Sequence, residues 1–235
     1  MRIVTKAAAL SMSLFLIACD SGNEMAAPSP APMTSPQPAP APVVESAPAL
    51  VVESAPLTTN DDSLLAEPTW AVLFSGRDLV NFNRTGGGNW QFVDGYIQAD
   101  TGEPGFLVTK GAYTDFQLRV EFQATAESNS GIFIRCEDPN AVSAESCYEI
   151  NVFDQNQNPN NRTGAIVNLV PPATSIMAGD AWNTFDITAQ GRRVTVRLNG
   201  TVTADVEDDK HGSGYIALQY NMGLIRFRDA RLRPL

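Results

Sequence analysis

From Asp115 to Phe122 apolar and polar residues alternate: Phe116, Leu118, Val120 and Phe122 share one side, and Gln117, Arg119 and Glu121 the other. A period of two puts successive side chains on opposite faces of an extended chain, so this segment reads as a strand with one face in a core. The same reading holds for Gly131–Arg135, where Ile132 and Ile134 oppose Phe133 and Arg135. In Cys147–Asp154, Tyr148, Ile150 and Val152 oppose Glu149 and Asn151. Thr184–Thr188, Val194–Leu198 and Tyr215–Tyr220 alternate as well. Between two such runs stands Asn199-Gly200, a pair that tolerates positive φ and so predicts a two-residue hairpin. No stretch beyond residue 67 sustains a helical period. Short strands separated by Gly, Asn and Asp predict an all-β domain of two packed antiparallel sheets.

The chain before residue 68 follows other rules. Arg2 and Lys6 precede an apolar run, Ala7 to Ala18, that is too short for a bilayer core of ~30 Å but suits a secretion signal. Its end, Leu16-Ile17-Ala18-Cys19, resembles a bacterial lipobox, in which the peptide is cut before the cysteine and the thiol carries lipid. Residues 1–18 are therefore expected to be a lipoprotein signal peptide and Cys19 the lipidation site. Residues 19–67 are rich in Pro, Ala and Ser and repeat APVVESAP as ALVVESAP. Proline removes donors and favours extended chain, so this stretch reads as a tether rather than a core. The expectation is a membrane-anchored lipoprotein of the cell envelope, facing the periplasm or the exterior, with residues 68–235 as one folded domain.

Charge narrows the partners. A net charge of −10 with no Lys/Arg patch argues against nucleic acid. The single histidine, His211, lies in the loop DDKHGSG and reads as a solvated residue; no nucleophile elbow, phosphate loop or H-E-x-x-H motif accompanies it. With Cys19 used for lipid, Cys136 and Cys147 remain as a pair in an oxidising compartment. A disulfide there would close a short loop and contribute roughly 3 kcal/mol at most. The alternative, a metal pair, lacks further Cys or His to complete a site.

The second face of the strands carries Arg119, Glu121, Arg135, Glu149 and Asn151, with Asp154 at a strand end and Gln219 on another strand. Were these strands neighbours, the residues would form one patch, either the floor of a polar ligand site or a lattice of cross-strand ion pairs. Trp90 and Trp182 read as core anchors, with sugar stacking as the alternative.

A series of blocks in fixed order then resembles a known family: LFSGRDLVNF (Leu73 to Phe82), W-x-F-x-D-G (Trp90 to Gly95), YTDFQLRVEF (Tyr113 to Phe122), NSGIFIR (Asn129 to Arg135), YEINVFD (Tyr148 to Asp154), WNTFDITAQG (Trp182 to Gly191), IALQ (Ile216 to Gln219) and the terminal IRFRDARLRPL. Over residues 70 to 235 the chain is similar to the 3-keto-disaccharide hydrolase domain, also described as a 3-keto-α-glucoside-1,2-lyase/3-keto-2-hydroxy-glucal hydratase domain. That resemblance implies a concanavalin- and laminin-G-like jelly-roll sandwich. It also implies a carbohydrate substrate, a 3-keto-glycoside cleaved by C2 proton abstraction, elimination and hydration. On matching blocks Glu149 would be the base, Asp154 the acid or the ligand of a divalent metal, and Arg135 the oxyanion stabiliser. Arg119, Glu121, Asn151 and Gln219 would bind substrate. No other cofactor is implied. The chain departs from the family where LQYNMG replaces the frequent L-Q-x-H-G and where Asn151 replaces Gln. Two classes stay open, an enzyme and a non-catalytic carbohydrate-binding or scaffolding protein on the same fold. Convergence of Arg135, Glu149 and Asp154 in one cleft would favour the enzyme.

Overall fold

The computed structural model describes residues 69–235, so the expected signal peptide, the expected lipidation site Cys19 and the expected tether lie outside the described residues. The strands are β1 (Ala71–Phe74), β2 (Phe82–Gly88), β3 (Gln91–Val93), β4 (Tyr96–Ala99), β5 (Gly102–Thr109), β6 (Phe116–Ala124), β7 (Ser130–Cys136), β8 (Tyr148–Val152), β9 (Trp182–Gln190), β10 (Arg193–Leu198), β11 (Thr201–Glu207), β12 (Tyr215–Tyr220) and β13 (Ile225–Pro234). Among the described residues the one helical turn is the 3₁₀ segment Pro159–Asn161.

The strands build two antiparallel sheets. One runs β11-β10-β9-β6-β13-β4-β3, with β1 added to β13; the other runs β2-β5-β12-β7-β8. Alternation explains the packing. Phe116, Leu118, Val120 and Phe122 of β6 are all buried, and Phe122 stacks on Phe185 of β9 at 5.1 Å between ring centroids. Facing them from the five-stranded sheet are Leu107, Ile132, Ile134, Ile150, Ile216 and Leu218. Each such side chain contributes roughly 1.5–3 kcal/mol on burial, which fixes both sheets face to face. Asn199 and Gly200 take φ of 50° and 83°, the conformation a tight β10–β11 hairpin demands.

The two sheets decide what can share a site. Arg119 and Glu121 stand on β6 in the larger sheet, whereas Glu149, Asn151 and Gln219 stand on β8 and β12 in the smaller. The expected single patch therefore does not form.

Trp90 is buried against Tyr220 and Phe227. Trp182 is half-buried, edge-on to Tyr96 and covered by the Arg228 guanidinium at 4.3 Å.

Candidate functional site

The outer face of the five-stranded sheet is divided in character. In register, Ala217 of β12 lies beside Val108 of β5 and Phe133 of β7, and Phe133 lies beside Glu149 of β8. Val108, Phe133 and Ala217 are buried in a second, smaller apolar cluster with Cys136 and Cys147, which form a disulfide. Val142, on the loop that this disulfide closes, packs onto the cluster. Two residues further along, the row is polar at Gln219 and Asn151 and apolar at Phe106, which packs on the same cluster. Gln219 pairs with Phe106 on one side, and Gly131 pairs with Asn151 on the other. The Ser130 hydroxyl donates to the Gln219 carbonyl oxygen at 2.7 Å, which fixes β12 beside β7 at this level.

Strand spacing gives the dimensions. Neighbouring strands lie ~4.8 Å apart, so Gln219 and Asn151 face each other across Gly131 at about 10 Å between Cα atoms. Glu149 is two residues from Asn151, about 7 Å along the strand. Gly131 forms the floor: a Cβ there would come within 3.4 Å of Glu149 Cγ and 3.3 Å of the Phe133 ring. The backbone of β8 is held from its outer edge too. Val167 N–H donates to Glu149 O at 2.9 Å, Gly164 N–H donates to Asn151 O at 3.0 Å, and Asn151 N–H donates to Ala165 O at 3.1 Å.

Glu149 sits at the seam between the apolar and polar halves. Burial beside Phe133, with a smaller contribution from the nearby Glu145 charge, pushes its carboxyl group up to about 7. A group that titrates near neutrality can both take and return a proton at modest cost. Its neighbours have free capacity. Asn151 is 3 % exposed and spends its amide N–H on Asn161 O, yet its Oδ1 is buried without a partner among the described residues. Gln219 Oε1 is likewise buried and unpartnered. Two orphaned amide oxygens around a glycine floor make a place where a ligand's hydroxyl groups recover hydrogen bonds otherwise lost.

The remaining expected residues have other duties. Arg135 takes φ of 53° at the end of β7 and is fully buried. Its Nε donates to Thr114 O, Nη1 to Gly191 O and His211 O, and Nη2 to Thr114 O and Asp115 Oδ1. A guanidinium has five donors. All are spent, so none is left for an enolate oxygen, and the expected oxyanion role is corrected to one of tying loops together. Asp154 is similarly occupied: its side-chain oxygens accept the Thr163 hydroxyl at 2.5 Å and the N–H groups of Ala178 and Gly179 at 2.9 and 2.8 Å. That donor set does not fit an acid or a metal ligand. Among the described residues no group of three or more His, Cys, Asp or Glu side chains is placed to hold a metal ion. Arg135, Glu149 and Asp154 do not converge.

Arg119 and Glu121 join the ion-pair lattice on the outer face of the larger sheet. Arg119 Nε donates to Asp186 at 2.6 Å, and Glu121 accepts from Arg228. The expected solvated His211 is instead 2 % exposed, with Nδ1 3.0 Å from Glu137 Oε1. Gly131 and Phe133 lie in the NSGIFIR block, yet a glycine floor and an apolar wall look like ordinary strand residues until the register is known.

The family described as the 3-keto-alpha-glucoside-1,2-lyase-like domain matches residues 69–233. Among solved structures the chain is similar to a provisionally assigned glycosyl hydrolase from Parabacteroides distasonis, at 25% identity over 71% of this chain and 100% of that one, with a TM-score of 0.60. A beta-1,3-1,4-glucanase (lichenase) derived from a mouse hindgut metagenome is 12% identical over 71% of this chain and 100% of that one, with a TM-score of 0.52. The carbohydrate-binding module CBM66 from Bacillus subtilis is 13% identical over 72% of this chain and 97% of that one, with a TM-score of 0.50. At those identities the last two share the fold alone, that of a jelly-roll sandwich. No curated protein matches the chain.

Proposed function

The chain belongs to the 3-keto-alpha-glucoside-1,2-lyase-like domain family, and we propose that it cleaves 3-keto-glycosides on the outer face of its five-stranded sheet, with Glu149 as the base. Family and fold support a carbohydrate-related role. The observation that carries the finer reading is Glu149 itself, a half-buried carboxyl group pushed up to about 7 beside two orphaned amide oxygens.

The chemistry follows from the ketone. A carbonyl at C3 acidifies the C2 proton. Glu149 takes that proton, the electron pair moves to the C3 oxygen as an enolate, and its return expels the C1–O bond. The departing oxygen takes a proton from the Glu149 acid or from water. Water then adds at C1 of the 2-hydroxy-3-keto-glycal and a proton returns to C2. Asn151 Oδ1 and Gln219 Oε1 accept sugar hydroxyls and hold the ring over Gly131. With Arg135 and Asp154 both committed elsewhere, Glu149 serves as base and then as acid, a task for which a carboxyl group titrating near neutrality is suited.

Three observations favour the second reading, a carbohydrate-binding protein without turnover, the first being that Arg135, Glu149 and Asp154 do not converge in one cleft. Asn221 and Met222 stand where the family resemblance places a histidine, and among the described residues no cation contributes to the displaced titration of Glu149. Both readings are tested together by incubating the protein with a 3-keto-glucoside, with and without EDTA, and following the glycal and the released aglycone. The expected result is release that Glu149→Gln abolishes and EDTA leaves unchanged. Absence of release, with the sugar still raising the melting temperature, would establish binding without catalysis. We also propose that Cys19 carries lipid and holds the domain at the cell envelope; mass spectrometry of the mature N-terminus decides this.

A further inference from the structure

Tyr148, Asp208, Lys210 and His211 meet at a cavity of about 170 Å³ beside the start of β8. Tyr148 points to the core side of β8, opposite to Glu149. Its hydroxyl donates to Asp208 Oδ1 at 2.6 Å and accepts the His211 backbone N–H at 3.1 Å. The two rings meet edge to face at 4.9 Å between centroids. Lys210 N–H also donates to Asp208 Oδ1, at 2.9 Å. The Glu137 oxygen at Nδ1 makes that nitrogen the donor, so in the neutral ring Nε2 is the acceptor. Nε2 is buried and has no partner among the described residues.

A buried acceptor left without a donor loses its solvation with nothing in return, so its retention beside a cavity calls for an occupant. One water needs about 10–15 Å³ on this measure, far less than the space available. The lining indicates what fits. Asp208 and Lys210 cancel in charge, which selects against a strongly ionic ligand. His211 Nε2 and the second Asp208 oxygen accept, and the Lys210 ammonium donates. Val167 and Leu169 supply an apolar wall. Donors and acceptors on one side and an apolar surface on the other match a sugar ring, with its hydroxyl rim and its C–H face.

We propose that this cavity is a second carbohydrate site, taking one neutral sugar ring whose hydroxyls donate to His211 Nε2 and Asp208. It stands apart from the Glu149 face and does not depend on turnover there. The single histidine of the chain makes the test direct. Full-length protein labelled with ring-¹⁵N histidine is titrated with glucose, galactose, mannose and xylose, with glycerol as the control. The expected result is a saturable shift of the Nε2 resonance with at least one sugar and none with glycerol. That shift persists in Glu149→Gln and requires about tenfold more sugar in Lys210→Ala, which removes one hydrogen bond from a charged donor. A resonance unmoved by every sugar, or moved equally by glycerol, overturns the proposal. So does a shift that vanishes in Glu149→Gln yet survives in Lys210→Ala, which would return the sugar to the other face.

Discussion

Replacing Glu149 with Gln should stabilise the folded protein while abolishing its proposed activity. The magnitude follows from the displaced titration. Moving a carboxyl group from 4.5 to about 7 corresponds to roughly 3 kcal/mol between its two protonation states, at about 1.4 kcal/mol for each tenfold change. Partial exposure of Glu149 to solvent brings the expected gain to roughly 2–3 kcal/mol. The sign is fixed by linkage. Below pH 4.5 the group is protonated in both folded and unfolded chains and contributes nothing. Between 4.5 and about 7 the unfolded chain gives up its proton first, so unfolding becomes easier as pH rises. Above about 7 both states are ionised and the full cost persists. Glutamine has the shape of the protonated acid and avoids that cost. Thermal unfolding of both proteins from pH 4 to pH 9 should therefore show coincident melting at the acid end. At pH 9 the Gln variant should melt roughly 4–12 °C higher, at about 2–4 °C per kcal/mol for a domain of this size. Because every other carboxylate is common to both proteins, the difference isolates this one group. Coincident melting at pH 9, or a less stable variant, would show that Glu149 is well solvated and would remove it as a base poised near neutrality.

Other expectations follow from the same geometry. If Glu149 acts ionised, kcat/KM should rise about tenfold per pH unit and level off above about 7; a profile flat from pH 5 to pH 8 would contradict the assignment. Gly131→Ala should raise KM at least about tenfold by crowding the floor, with under ~1 kcal/mol change in a urea titration. Arg135→Met strands the carbonyls of Thr114, Gly191 and His211 and should cost roughly 3–5 kcal/mol, read as a lower urea midpoint. Asp154→Asn sets an amide N–H against the Ala178 and Gly179 N–H groups and should cost roughly 1–3 kcal/mol, while turnover per folded molecule stays unchanged.

The period-two pattern was enough to read β6, β8 and β10 and the faces they bury, because a strand that covers a core must alternate. It also made the Asn199-Gly200 hairpin legible, since few residue pairs accept φ of 50° and 83° in succession. Alternation carries no information about which strands are neighbours. It therefore could not reveal that β6 lies in one sheet while β7, β8 and β12 lie in the other, and the expected patch failed on that point alone. Pairing is set by contacts between residues far apart in the chain, such as Phe122 with Phe185 across β6 and β9.

Charge was a misleading guide to the site, and the reason is general. A fully buried arginine must satisfy every donor, and a buried carboxyl group must be filled by N–H and O–H groups, so Arg135 and Asp154 are conspicuous in sequence for the very property that ties them up. Exposed pairs such as Arg119 with Asp186 are neutralised by each other. What remains able to act is a group that is buried but not paired. Glu149 meets that condition because its neighbours are Phe133, a glycine and two amides rather than a cation. Asn151 and Gln219 meet it because their oxygens find no donor among the described residues. In sequence these residues look milder than the arginines around them. Only the register between β12, β7 and β8 brings one titrating carboxyl group and two unmet acceptors onto one stretch of sheet about 10 Å by 7 Å, and that juxtaposition, rather than the density of charge, marks the face where a sugar would be recognised.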